Sequence, residues 1–217
     1  MPGQEKPLWT TGRKLVGNLM PLIVVVPFLV LGTKEALEKG LTPTLALWLF
    51  LLLFCGWLTV GLLGLPFNRF FKKEMALRLH KQHPFDPRPK FFVGFARPAF
   101  KGLLDAHEDI GFVMLGDEEI EFVGEHRHFK MQKSAITRIR YRTNPHTWLL
   151  LGRWVSVEGT NDGHEVRMLL EPREKATLFG NFIFSARLSD RLNMWLKETP
   201  KLETAEPSAL KTPPRSE

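Results

Sequence analysis

The 217-residue chain has a single cysteine, Cys55, so it cannot form an intrachain disulfide or a zinc site built on several thiolates. It has no internal repeat, and its glycines form no phosphate-cradling loop. Ser134 and Ser185 stand near no base or oxyanion motif. These absences leave nothing in the sequence that calls for catalysis, a cofactor or a resident metal, and the expected class is non-enzymatic. Charge is also missing from two long stretches, Leu15–Gly32 and Leu41–Leu65.

Those two stretches hold much of the chain's apolar content. A bilayer core about 30 Å thick takes about 20 apolar residues of helix, so both blocks are long enough to span it. A helix satisfies its own backbone polar groups, which lipid cannot do. Pro21 and Pro27 are expected to bend the first helix. Two core helices of a soluble protein would fit the composition as well, but residues beyond Lys90 carry a separate core pattern of their own.

The net charge of +7 raises the question of nucleic acid. Its distribution answers it. Residues 1–14 carry a surplus of two positive charges, the connector 33–40 is balanced, and residues 66–90 carry a surplus of five. Residues 91–198 balance 15 basic against 15 acidic side chains, and the tail 199–217 balances three against three. All the surplus therefore flanks the apolar blocks, as the positive-inside rule describes, and no basic nucleic-acid face is indicated. The expected arrangement is a multi-pass protein of the inner (cytoplasmic) membrane with both termini cytoplasmic. Its parts are a cytoplasmic N-terminus (1–14), spans at 15–32 and 41–65, and a short external loop (33–40). Arg13, Lys14, the apolar stretch and Val30-Leu31-Gly32 also fit a cleaved signal peptide. The second block, coming almost at once, suits a helical hairpin better, and the basic run after Leu65 retains the C-terminal domain inside in either case.

Residues 66–90 read as a basic juxtamembrane helix followed by a Pro-rich linker. Phe71, Met75 and Leu79 recur at helical spacing among Arg69, Lys72, Lys73 and Arg78, which are candidates for contact with the membrane surface. The alternative is that these cations only set topology. His83-Pro84-Phe85-Asp86-Pro87-Arg88-Pro89 then breaks the helix and marks a domain boundary.

From about Phe91 the period changes to two. Phe112–Leu115 is one short run, and Ile120 and Phe122 alternate with glutamates in the next. Phe129 and Met131, Ile139 and Tyr141, Val155 and Val157, and Val166, Met168 and Leu170 continue the pattern, with turn residues between runs. Six or seven short strands predict a mainly-β sandwich or partly open barrel. Phe184, Leu188, Leu192, Trp195 and Leu196 then mark one face of a closing helix, with Ser185 as its expected N-cap. The tail, 199–217, has the composition of a disordered segment.

Strands followed by one closing amphipathic helix, over Phe92–Lys197, resemble the pleckstrin-homology (PH)-like class, which includes GRAM and bacterial PH domains. The nearest wording is Asp109-Ile110-Gly111-Phe112-Val113-Met114-Leu115, Ile120-Glu121-Phe122-Val123-Gly124 and Ser134-Ala135-Ile136-Thr137-Arg138-Ile139, with Trp195 in the last helix. The resemblance is to strand order and apolar positions across about half the chain, and it is closest to membrane-anchored bacterial forms with paired N-terminal spans. It implies a binding module at residues 91–198. The basic pattern of eukaryotic phosphoinositide binding, expected in the first strand–loop–strand, is not evident.

Arg138, Arg140 and Arg142 alternate on one strand, about 7 Å apart, and guanidinium groups suit phosphate or carboxylate. They either contact lipid headgroups or an acidic partner, or form a solvated face paired to glutamates such as Glu119 or Glu121. His126 and His128 share a strand face, with His107 upstream, but no third metal ligand stands at a known spacing. Gly56, Gly61 and Gly64 allow close helix approach, either to the first span or in self-association. The expected function is a membrane-tethered adaptor that binds a protein or lipid headgroup at the cytoplasmic face. An accessory subunit of a membrane transport or envelope-assembly complex is the alternative.

Overall fold

A computed structural model describes residues 6–98, 106–161 and 163–198; the tail expected at 199–217 lies outside them. The first helix, α1 (Thr11–Lys39), starts where the Thr10 side chain accepts from the Arg13 N–H, and it ends at Gly40 with φ of 71°. Its segments Thr11–Gly17 and Leu22–Lys39 meet at 45°, and Pro21, which has no N–H to give, lies at the break. Pro27 lies within the second segment, which continues through it. The loop expected at 33–40 is for the most part the last two turns of α1. Lys34–Glu38 and Lys39–Glu35 pair there at 3.9 and 3.2 Å, one helical turn apart, so these charges suit a helix.

The second helix, α2 (Pro43–Leu63), has Thr42 as its N-cap. It runs back along α1: Gly32 approaches Trp48, Gly56 approaches Val25, and Gly17 approaches Pro66. The helical run through Pro43–Gln82 contains a segment long and apolar enough to cross a membrane, and α1 adds a second if its bent halves count as one span.

Seven antiparallel strands form one sheet: β1 (Lys90–Ala96), β2 (Asp109–Leu115), β3 (Glu119–Gly124), β4 (His128–Gln132), β5 (Ile136–Arg142), β6 (Trp154–Asn161) and β7 (His164–Pro172). Their spatial order is β4-β3-β2-β1-β7-β6-β5. The inner face packs Val93, Phe95, Val113, Phe122, Val157 and Met168 against Leu188, Leu192 and Trp195 of the last helix, α4 (Leu178–Lys197). The Trp195 indole donates to the Gly116 carbonyl at 2.6 Å, which fixes the end of α4 over the β2–β3 turn.

α4 begins earlier than its core-facing stripe indicates. Thr177 is the N-cap and accepts from the Gly180 N–H at 3.1 Å. Ser185, expected in that role, is buried two turns inside, donating to the Phe182 carbonyl and accepting from Arg153 Nε at 2.7 Å. The extra turns carry Leu178 and Phe179 toward α2 instead of toward the sheet.

A third helix, α3 (Asn68–Gln82), packs on the sheet's outer face over β1 and β2. Phe71, Met75 and Leu79 are buried as their spacing indicates, but against Phe92, Ile110, Phe112 and Met114 and not against lipid. Leu8 and Trp9 complete this cluster. Their backbone N–H groups both donate to the Glu125 carboxylate, that of Trp9 at 2.7 Å, and Arg78 holds the same carboxylate at 3.0 Å. The start of α1 and the end of α2 are therefore both fastened to the β-sheet unit. The linker is fastened too. Arg88 bridges Asp86 at 2.6 Å and Glu121 at 2.7 Å, and its hydrogen bonds bring the Asp86 carboxyl down to about 2.

Candidate functional site

β5 is an edge strand, and alternation places Arg138, Arg140 and Arg142 on its outer side. Register sets them opposite Glu158, Ser156 and Trp154 of β6. All three reach one carboxylate: their Nε atoms donate to Glu158 at 2.6, 3.1 and 2.8 Å. Arg167 of β7 brings a fourth Nε to within 3.2 Å, and the Ser156 hydroxyl donates at 3.0 Å. Glu165, 90% exposed, reaches Arg167 only at 4.0 Å. Among the described residues, four cations thus face two carboxylates.

Burial pushes the Glu158 carboxyl up, and the hydrogen bonds from Arg142, Arg140, Arg138 and Ser156 outweigh it, so the group stays well below the usual carboxylate range. Among the described residues the three β5 arginines bind Glu158 through Nε alone, which leaves the paired Nη groups of each fork for a second acceptor. An incoming phosphate or carboxylate would meet surplus positive charge on a preformed, partly desolvated row. Of the readings open for this row, the glutamate pairing is present, though with Glu158 and not with Glu119 or Glu121. Glu119 pairs with Lys130, and Glu121 with Arg88, His128 and Lys130.

Next to this row the sheet buries a second charged group. Glu171 lies between His107 at 2.8 Å and His146 at 3.2 Å, and the edge of Trp154 meets the His107 ring with centroids 5.1 Å apart. Gly94 makes room for it, since a Cβ there would stand 2.0 Å from His107. Burial pushes Glu171 up, but His146 and His107 together hold it below the ordinary range. His107 is therefore far from the expected histidine pair in role. His126 lies beside Glu125 at 3.6 Å, and His128 is 2.6 Å from Glu121. Among the described residues no three metal-type side chains gather into a site.

The four α3 cations that the sequence marks for membrane-surface contact, Arg69, Lys72, Lys73 and Arg78, divide into two pairs. Lys72 binds Glu174, and Arg78 binds Glu125 and the Lys6 carbonyl, so both are part of the structure that holds α3 down. Arg69 and Lys73 are exposed, on a side of α3 that also presents Phe70 and Leu77.

Gly56 and Gly61 of α2, and Gly64 at its C-cap, are met by atoms of this same chain. A Cβ on Gly56 would lie 3.1 Å from Val25, one on Gly64 3.0 Å from Leu178, and one on Gly61 2.1 Å from the Phe179 ring. Gly61→Ala is expected to weaken the α2–α4 junction by about 1–2 kcal/mol through overpacking. Adding Phe179→Leu should recover most of the loss, as measured by thermal unfolding in detergent.

One feature lies outside every residue set apart on sequence grounds. The β5–β6 connection contains a short 3₁₀ turn, Pro145–Leu149, whose tip carries Trp148, Leu149 and Leu150 in the open. The signal was Asn144 three residues ahead of Thr147, a capping pair directly before an apolar triplet. The chain matches no family model, no curated protein and no solved structure.

Proposed function

We propose that this chain is a non-enzymatic, membrane-tethered adaptor. In this reading α1 and α2 form a hairpin in the cytoplasmic membrane with both termini inside, and a PH-like domain takes an anionic group from a protein partner or a lipid headgroup. The arginine row over Glu158 carries the reading, because it offers guanidinium Nη donors that have no partner among the described residues, on an edge strand. Supporting the tether, only 17% of the apolar window in the Pro43–Gln82 run is buried, whereas a soluble core helix would be covered. Cations flank both apolar blocks on the side where the β-sheet unit is attached. Supporting the PH-like reading is the meander order β4-β3-β2-β1-β7-β6-β5 with one helix across its inner face.

The test uses the full chain, since α3 and Leu8–Trp9 cover part of the sheet. A photocrosslinking residue in place of Arg140 is expected to capture a protein or lipid in native membranes. Combining it with Arg138→Gln and Arg142→Gln should cut that yield several-fold. Chain released by an alkaline carbonate wash would rule out the tether; an intact tether with no crosslink at Arg140 would rule out the binding face.

A further inference from the structure

Three adjacent large apolar side chains stand in solvent at the tip of the β5–β6 connection: Trp148 is 86% exposed, Leu149 47% and Leu150 67%. Such a run costs solubility unless something covers it. The turn is built to hold it there. Asn144 Oδ1 accepts from the Thr147 N–H at 2.9 Å, and the Thr147 hydroxyl lies 2.8 Å from the Gly152 carbonyl. His146 is tied to buried Glu171, and Leu151, immediately after the triplet, is completely buried. Leu150 itself is held at φ of 56°, the only non-glycine residue at positive φ among those described. A branched side chain is disfavoured in that region, so the turn keeps a large apolar group outward at a conformational cost.

The position of the tip identifies what covers it. The Trp57 indole of α2 donates to the Leu149 carbonyl at 2.7 Å. Leu151 packs with Leu65 and Leu178, beside Trp57, Val60 and Phe179. Trp57 lies eight residues before Leu65, about 12 Å up the apolar helix. The tip therefore stands beside the apolar run, above its end. Phe50, Phe54 and Trp57 succeed one another down α2 with ring centroids 5.7 and 6.2 Å apart, and the stripe leads into Phe179, 4.9 Å on. The Trp57–Leu149 bond sets the triplet beside that stripe.

We infer that Trp148, Leu149 and Leu150 insert into the headgroup–acyl boundary of the bilayer that α2 crosses, as a second, monotopic attachment of the domain. This rests on the membrane reading of α2. An indole at that depth suits the interface, with its apolar ring in the acyl region and its N–H among headgroups. The charged row begins at Arg142, two residues before Asn144, so the headgroup layer would meet arginine directly beneath the wedge.

Fluorescence quenching in proteoliposomes tests it. In full-length Cys55→Ser protein, a nitrobenzoxadiazole label is placed at Trp148→Cys, Leu150→Cys, Leu53→Cys or Glu165→Cys. The vesicles contain phosphatidylcholine and phosphatidylglycerol with a spin label shallow or deep on the acyl chain. The expected result is deep quenching at Leu53, and shallow quenching at Trp148 and Leu150 at least about twofold above that at Glu165. Quenching at Leu53 with the two tip positions matching Glu165 overturns the wedge and leaves the tether standing; the triplet would then serve a protein partner or a second copy. No quenching at Leu53 overturns the tether, and the wedge with it.

Discussion

Trp9→Ala is expected to lower the stability of the full chain by about 3–5 kcal/mol, the usual loss for emptying a large aromatic site. Trp9 is buried, meets Phe71 edge-on with centroids 5.4 Å apart, and has the Arg173 guanidinium 4.5 Å from its ring centre. Its removal empties the space between α3 and the sheet and deprives Phe71 and Phe92 of cover. Thermal unfolding in detergent should show a midpoint drop of roughly 10 °C. Limited proteolysis should show earlier cleavage within α3, with the β5–β7 half cut at its original rate. An unchanged cleavage rate in α3 would mean that the N-terminal segment does not hold the helix down.

Glu158→Gln should cost about 2–3 kcal/mol. Breaking a buried charge cluster usually costs about 3–5 kcal/mol. Here the arginine side chains are 25–56% exposed, so water takes up part of the loss. The pH dependence has a definite sign. A carboxyl depressed on folding contributes fully above its unfolded value of about 4.3, and that contribution is lost as pH falls through the lower folded value. The stability gap between wild type and Glu158→Gln should therefore be constant from about pH 5 to 8 and close progressively below about 4.5. The same change removes the internal competitor for the guanidinium forks, so crosslinking to an anionic partner beside Arg140 should rise several-fold. A fall in crosslinking would mean that Glu158 is needed to shape the row and that freeing the arginines does not help binding.

Strands with one covered face were plain in the sequence. Ile120 and Phe122 of β3, and Val166, Met168 and Leu170 of β7, alternate because these positions share the face that meets the inner core. β1 is harder to read, since Lys90–Ala96 is buried on both faces once α3 lies over it and the period-two signal is lost. The three apolar positions of α3 were legible as a stripe, but a stripe does not state whether lipid or a sheet lies under it. Leu8 and Trp9 have no periodicity at all; their burial depends on Glu125, 116 residues away from Trp9. The arginine spacing was evident, yet Glu158 as its partner depends on a register that includes an irregularity between Ile136 and Arg138. Gly61 was recognisable as a close-contact site, and its contact proved to be an aromatic ring of α4 from the same chain.

Leu8–Trp9 ahead of α1, Asn68 just after α2 bonding the carbonyls of Arg173 and Lys175, and Trp57 on the Leu149 carbonyl are three separate struts toward the same end of the helix pair. A module so braced cannot sweep a volume as one on a leash would. Under the proposed function, a partner at the arginine row would have to arrive at one height and one bearing around the helix pair. Recognition here would be set by geometry of approach as much as by charge, and a longer or looser brace should widen the range of partners while lowering the effective concentration of each.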